Sequence, residues 1–179
     1  MEKKQLVIFL DSGDTLIDES TEVRDENDIV VRAKAVPGAS QAIKTLAEQG
    51  YTLVLVADGE VRSFQNVLSQ NGIYDCFSAM IMSEMIRARK PSPRMFRAAM
   101  GAVLLDDNDK KRIIMVGNNL ARDVKGANAE GITSVFLDWS PRYPKTPADD
   151  SEKPDYMIHT PMELVKLAAK LEAELEREA

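Results

Sequence analysis

Five side chains in this 179-residue chain have types and placements suited to chemistry: Asp11, Asp58, Lys90, Asn118 and Asp123. Asp11 closes the apolar run Gln5 to Leu10 and is followed at once by Ser12-Gly13-Asp14. Asp58 and Asn118 stand in the same relation to the apolar runs Thr52 to Val56 and Ile113 to Val116. A carboxylate just past a buried strand is costly unless a partner or ligand uses it. Two of them facing one crevice point to a cation or phosphate site. Lys90, in Arg89-Lys90-Pro91, supplies positive charge that favours an ionised Asp11 and pairs with an anionic substrate. Asp123 follows Asn118 by about one helical turn and can point back at the same place. The competing structural reading is a fold whose strand-end carboxylates are simply satisfied by neighbours.

The elements that position these groups alternate along the chain. The run at Gln5–Leu10 is short, contains β-branched Val7 and Ile8, and does not alternate with polar residues, as in a strand buried on both faces of a parallel sheet. Pro37-Gly38 opens a helix with Ala42, Ile43, Leu46 and Ala47 on one face, ended by Gly50. A helix at Val61–Gln70, a strand at Ala79–Met82 and a helix at Pro93–Met100 follow. After the Ile113–Val116 strand come a helix including Ala121–Ala129, a strand at Ser134–Leu137 and a short strand at Tyr156–Ile158. Thr160-Pro161-Met162-Glu163 reads as a capping box opening a last amphipathic helix with Leu164, Leu167, Ala168 and Leu171 inward. Residues 172–179 are expected to be a solvated, frayed helix end. Strand–helix alternation predicts an α/β fold, a three-layer, doubly wound, Rossmann-like and mainly parallel sheet, as a single domain over 1–179. Ligands in such sheets bind outside the carboxyl ends of the strands, where Asp11, Asp58 and Asn118 all lie.

Composition narrows the function. The chain is 44% hydrophobic and 29% charged, which suits a globular domain and not a disordered one. No run approaches the length of a membrane span, and the start, Met1-Glu2-Lys3-Lys4-Gln5, leads into too few apolar residues for a secretory signal, so a cytoplasmic protein is expected. A net charge of −6 argues against a nucleic-acid partner. One cysteine, Cys76, excludes an internal disulfide and is read as a buried structural thiol. With a single histidine, His159, no Cys/His metal cluster can form.

Taken in order, these segments resemble the haloacid dehalogenase superfamily of hydrolases. The resemblance is carried by Val7-Ile8-Phe9-Leu10-Asp11-Ser12-Gly13-Asp14-Thr15-Leu16, by the helix and strand from Pro37 through Val54, by Ser83-Glu84 with Lys90-Pro91-Ser92-Pro93-Arg94-Met95-Phe96, and by Val116-Gly117-Asn118-Asn119-Leu120-Ala121-Arg122-Asp123 with Gly126-Ala127 and Gly131. Each motif is weak alone; the four in order, from Leu6 to Leu171, are specific. The resemblance implies a phosphatase in which Asp11 attacks phosphorus and water then hydrolyses the aspartyl-phosphate. It implies Mg²⁺ held by Asp11, the Gly13 carbonyl, Asn118 and Asp123, with Lys90 as the charge-neutralising catalytic residue. Gly13, Asp14, Ala57, Asp58 and Lys90 would line the phosphoryl-binding site.

Three positions depart from the family pattern. The residue two after the nucleophile is usually an Asp acting as general acid/base; here it is Gly13, which has no proton to give. Asp14 fills a place usually held by Gly and could substitute for that acid, though its side chain is expected to point elsewhere. Ala57 stands where Ser or Thr usually binds phosphate, and Asn118 replaces a carboxylate with an amide. Residues 17–36 leave room for a β-hairpin flap, not a cap domain, so the site should be open, favouring a bulky phosphorylated substrate or closure by another subunit. The alternative to a hydrolase is a binding or regulatory protein that keeps the fold and has lost turnover; a cofactor-free dehalogenase would lack the cap that encloses a small acid.

Overall fold

The strand Val7–Leu10 (β1) is buried along its whole length, and it is the pivot of the sheet in the computed structural model, which describes residues 4–178. It is bracketed in parallel by β4 (Thr52–Ala57) and β6 (Ile113–Gly117). With β5 (Ala79–Met82), β7 (Thr133–Leu137) and β8 (Tyr156–Ile158) these form a six-stranded parallel sheet in the order β5-β4-β1-β6-β7-β8. The chain builds leftward from β1 through β4 to β5 and then crosses to β6 on the other side. The strand order therefore reverses between β1 and β6, where loops diverge and leave a crevice at the carboxyl ends. Asp11, Asp58 and Asn118 follow β1, β4 and β6, three adjacent strands.

Successive residues of a strand point to opposite faces, and each face has its own core. Ile8, Leu10, Leu53, Leu55, Ile114 and Val116 pack against α1 (Ala39–Glu48), α2 (Val61–Gln70) and α6 (Pro161–Glu178). Val7, Phe9, Val54, Val56, Ile113 and Met115 pack against α4 (Pro93–Ala102) and α5 (Lys125–Glu130). The one-turn helix α3 (Ser83–Ile86) ends in Arg87, whose left-handed backbone turns the chain toward Lys90. Helices on both faces explain why these strands are continuously apolar, as the α/β expectation required.

Between β1 and α1 lies an antiparallel hairpin, β2 (Ile17–Arg24) and β3 (Val30–Ala35), inside the expected flap. It is held against α2 by side-chain amides: Ala33 N donates to Gln70 and Ala35 N to Asn71, while Asn66 and Asn71 donate to Val30 O and Ala33 O.

The structure differs from the sequence reading at four places. The helix expected over Ala121–Ala129 begins instead as a π-helical turn, Leu120–Val124, before α5. The wider turn forms because Asn119 caps it through Oδ1 while the Asp123 carboxylate folds back onto Asn119 N at 3.0 Å; such turns recur at functional sites. The final helix does not fray from Glu172: it runs to Glu178, and the buried Glu172 carboxylate accepts Gln5 N at 2.9 Å and Leu6 N at 2.8 Å. Ala179 lies outside the described residues. At the start of α6, Glu163 reaches past Thr160 N to His159 N, so the expected box closes one residue early. Cys76 is partly buried against the core rather than fully enclosed.

Candidate active site

Asp11 leaves β1 with its backbone still in the sheet, its N–H donating to Val116 O at 2.9 Å. That bond fixes the Cα, so the side chain projects into the crevice, where it is 13% exposed. Lys90 comes from the loop between α3 and α4, and its backbone N–H is tied to Asp58 Oδ1 at 3.1 Å. Its ammonium reaches under the crevice floor to three oxygens, each at 2.7 Å: Asp11 Oδ1, Asp123 Oδ1 and Val56 O. Hydrogen bonds run to Asp11 and Val56, and Asp123 is held as an ion pair. Burial alone would lower the Lys90 pKa, but Asp11, Asp123 and Asp58 together push it above the ordinary lysine value. This lysine is a permanent cation.

Asp123 is placed by the π-helical turn and by a missing side chain. A Cβ at Gly117 would sit 2.2 Å from Asp123 Oδ2, so only glycine lets this carboxylate lie against the end of β6. Burial pushes the Asp123 carboxyl up, against the pull of Lys90. Burial likewise raises Asp58, whose Oδ2 has no hydrogen-bond partner and faces Arg122 at 3.9 Å. Three carboxylates thus surround one ammonium, an arrangement that favours a second cation. The buried Asn118 amide also has an unpartnered Nδ2, beside the same recess. Among the described residues no three His, Cys, Asp or Glu side chains come together as a metal cluster. The available donors are two carboxylates, an amide and backbone carbonyls, which suit a hard cation that keeps several of its waters.

The opposite wall of the recess belongs to the hairpin and to the loop after β7. It carries Glu19 and Tyr143, with Arg122 stacked over the Tyr143 ring at 5.4 Å. Glu19 lies on β2, and its carboxyl covers Gly13: a Cβ built on Gly13 would be less than 2 Å from Glu19 Oε1 (1.8 Å). Its backbone N–H donates to Asp14 Oδ1 at 3.0 Å. Asp14 is almost fully buried, and its Oδ2 accepts from Ser140 Oγ at 2.8 Å and Arg142 Nε at 2.6 Å. Arg142 Nε also lies 3.1 Å from Glu19 Oε2. Burial, reinforced by Asp14 and opposed by Arg142, lifts the Glu19 carboxyl to about 7.

Residues 7–137 match the family model described as haloacid dehalogenase-like hydrolase. The chain belongs to this family. Among curated relatives of these hydrolases, the chain is 28% identical over 138 residues to the glyceraldehyde 3-phosphate phosphatase of Methanopyrus kandleri, covering 77% of this chain and 58% of that one. It is 26% identical over 144 residues to a phosphoglycolate phosphatase of Cereibacter sphaeroides, covering 75% and 62%. The chain spans only 42% to 58% of the lengths of the three glyceraldehyde 3-phosphate phosphatases it matches. Among solved structures, it superposes on an uncharacterized protein from Listeria monocytogenes with a TM-score of 0.73 at 18% identity, covering 94% of this chain and 99% of that chain. A phosphatase of the same family from Thermococcus onnurineus gives 0.64 at 26% identity, covering 75% and 58%.

Set against the family pattern, the structure brings Asp11, Gly13, Asp58, Lys90, Asn118 and Asp123 together around one recess. It does not bring Asp14 there. That carboxylate points away from Asp11, in a left-handed backbone conformation (φ 50°), and its bonds tie β2 to the loop after β7. Ala57 is buried at the end of β4 and offers no group to the recess. The sequence reading missed Glu19, Arg122 and Tyr143. Arg122 lay inside the fourth motif, and Tyr143 follows a strand's carboxyl end, so both carried a positional signal. Glu19 carried none, because a carboxylate on a charged hairpin reads as solvated.

Proposed function

We propose that this protein is a phosphoric monoester hydrolase with Asp11 as its nucleophile. The observation that carries the reading is the Asp11–Lys90–Asp123 cluster at adjacent strand ends of this fold; the phosphatase names of several relatives point the same way. Lys90 holds Asp11 Oδ1, leaving Oδ2 with only a 3.3 Å contact from the Thr15 hydroxyl. Oδ2 is therefore the oxygen free to attack phosphorus. Lys90, desolvated and preorganised, stabilises charge as it moves from Asp11 to the phosphoryl oxygens and costs no reorganisation when the reaction occurs. Arg122, whose side chain is 42% exposed at the rim, supplies a further positive group for the anionic substrate. Mg²⁺, held by Asp11, Asp123, the Asn118 amide oxygen and the Gly13 carbonyl, would neutralise phosphoryl charge when bound. Water then cleaves the aspartyl-phosphate and frees Asp11.

The substrate class is a phosphorylated small molecule or a larger phosphoester reaching in beside the hairpin, and the protein acts in the cytoplasm. The test is turnover of a panel of phosphate monoesters with Mg²⁺ and with chelator. Asp11→Asn is expected to lower kcat by roughly 10⁴-fold or more, the scale of a lost nucleophile. Activity that survives this exchange removes Asp11 from the role. The competing reading, a binding protein without turnover, draws on Gly13 and Ala57. It requires phosphate binding at Lys90 and Arg122 with no product formed from any ester in the panel.

A further inference from the structure

Position 13 lacks the acid that this reaction needs at the leaving group, yet the space above Gly13 is filled. Glu19 Oε1 lies where the side chain of any other residue at position 13 would begin. The carboxyl arrives from the hairpin, six positions along the chain. Gly13, Glu19 and Asp58 line two adjoining recesses at once: the one around Asp11 and Lys90, and a groove under the hairpin bordered by Arg24, Ser63 and Phe64. A phosphoryl group placed on Asp11 with its ester oxygen directed into the groove must pass the Glu19 carboxyl. The placement is fixed by neighbours. Asp14 accepts the Glu19 N–H, and Arg142 bridges the two carboxylates.

We infer that Glu19 is the catalytic residue that protonates the leaving group, delivered by the hairpin in place of a side chain at position 13, with Asp14 and Arg142 as its positioning residues. This rests on the phosphatase reading above. The acid and the glycine have exchanged duties: position 13 gives up its side chain to admit Glu19, and position 14 gains one to hold it. In the first step the bond from Asp11 Oδ2 to phosphorus forms as the bond to the ester oxygen breaks. The electron pair stays on that oxygen, which takes the proton from the Glu19 carboxyl. In the second step a water attacks phosphorus and gives its proton to the Glu19 carboxylate. Asp11 departs with the electron pair of its bond, and both side chains are restored.

The experiment compares two esters in Mg²⁺ buffer: glycerol phosphate, whose alkoxide needs a proton to leave, and 4-nitrophenyl phosphate, whose phenolate does not. Glu19→Gln keeps size and polarity but has no proton to transfer. It is expected to lower kcat/KM for glycerol phosphate by about 10²-fold or more and for the aryl ester by less than about tenfold. The aryl activity reports that the variant is folded. Gly13→Asp combined with Glu19→Ala, which empties that space, restores glycerol phosphate turnover, since it puts a carboxyl back in the same place. Equal losses on both esters, or no loss on glycerol phosphate, overturn the role of Glu19 while leaving the hydrolase reading intact. If the unaltered protein cleaves no ester of the phosphate monoester panel, these two included, both readings fall together.

Discussion

The strand-end wall of the recess and the hairpin wall are built on different terms. On the first, Asp11, Lys90 and Asp123 are packed among buried strands, with side chains at most 13% exposed. Their positions follow from backbone: a sheet hydrogen bond at Asp11, a π-helical turn at Asp123, and the absence of a side chain at Gly117. On the second, Glu19 and Arg142 have side chains 30% and 38% exposed and are held by side-chain contacts across a hairpin and a loop. The family's residue types survive on the first wall in Asp11, Lys90 and Asp123. On the second they have changed. Where the sheet dictates geometry, a group cannot be moved without moving a strand; where side chains dictate it, one carboxyl can be supplied from another segment.

The contrast makes Lys90→Met the most damaging change. It leaves buried carboxylates without their cation, and breaking such a pair costs about 3–5 kcal/mol, measurable as a lowered urea midpoint with turnover lost. A smaller loss would show the first wall to be as tolerant as the second. Gly117→Ala pushes Asp123 away from the strand end and should lower kcat by about 10²-fold, the scale of a one-ångström misplacement, with KM changed much less. Steady-state kinetics on one ester decides it. Arg142→Ala leaves the buried Asp14 carboxylate short of its charged donor, for about 1–3 kcal/mol in chemical denaturation. A loss above that of Lys90→Met would reverse the ranking of the two walls.

The smallest effect is a pH dependence. Glu19 titrates near 7 in the folded protein and in the ordinary carboxylate range when unfolded, so between about 4.5 and about 7 the native state binds more protons than the unfolded one. Stability therefore falls as pH rises through that window. Without added metal, the melting temperature of the unaltered protein relative to Glu19→Gln should drop by a few degrees from pH 5 to pH 8. No change over that range would mean that Glu19 is already ionised at pH 5.

The sheet was legible because period-two burial with helices on both faces forces long apolar runs, and these announce themselves. The residues at the ends of those runs were legible for the same reason, since parallel topology aligns the carboxyl ends of β1, β4 and β6. Lys90 was readable through its motif. The partners of Asp14 were not: its outward turn was expected, but its left-handed backbone and its bonds to Glu19, Ser140 and Arg142 join segments that nothing local pairs. Glu19 was out of reach because its role depends on a void at Gly13. Glu172 looked like a solvated helix end because nothing local marks a carboxylate that meets a strand 166 residues away.

That last contact also bears on how firmly β1 is seated. The N–H groups of Gln5 and Leu6, at the foot of β1, are satisfied by Glu172. At the head of the same strand, Lys90 holds the Asp11 carboxylate. The central strand is thus clamped at both ends by side chains far away along the chain, so the crevice rests on an anchor at the opposite end of the sheet.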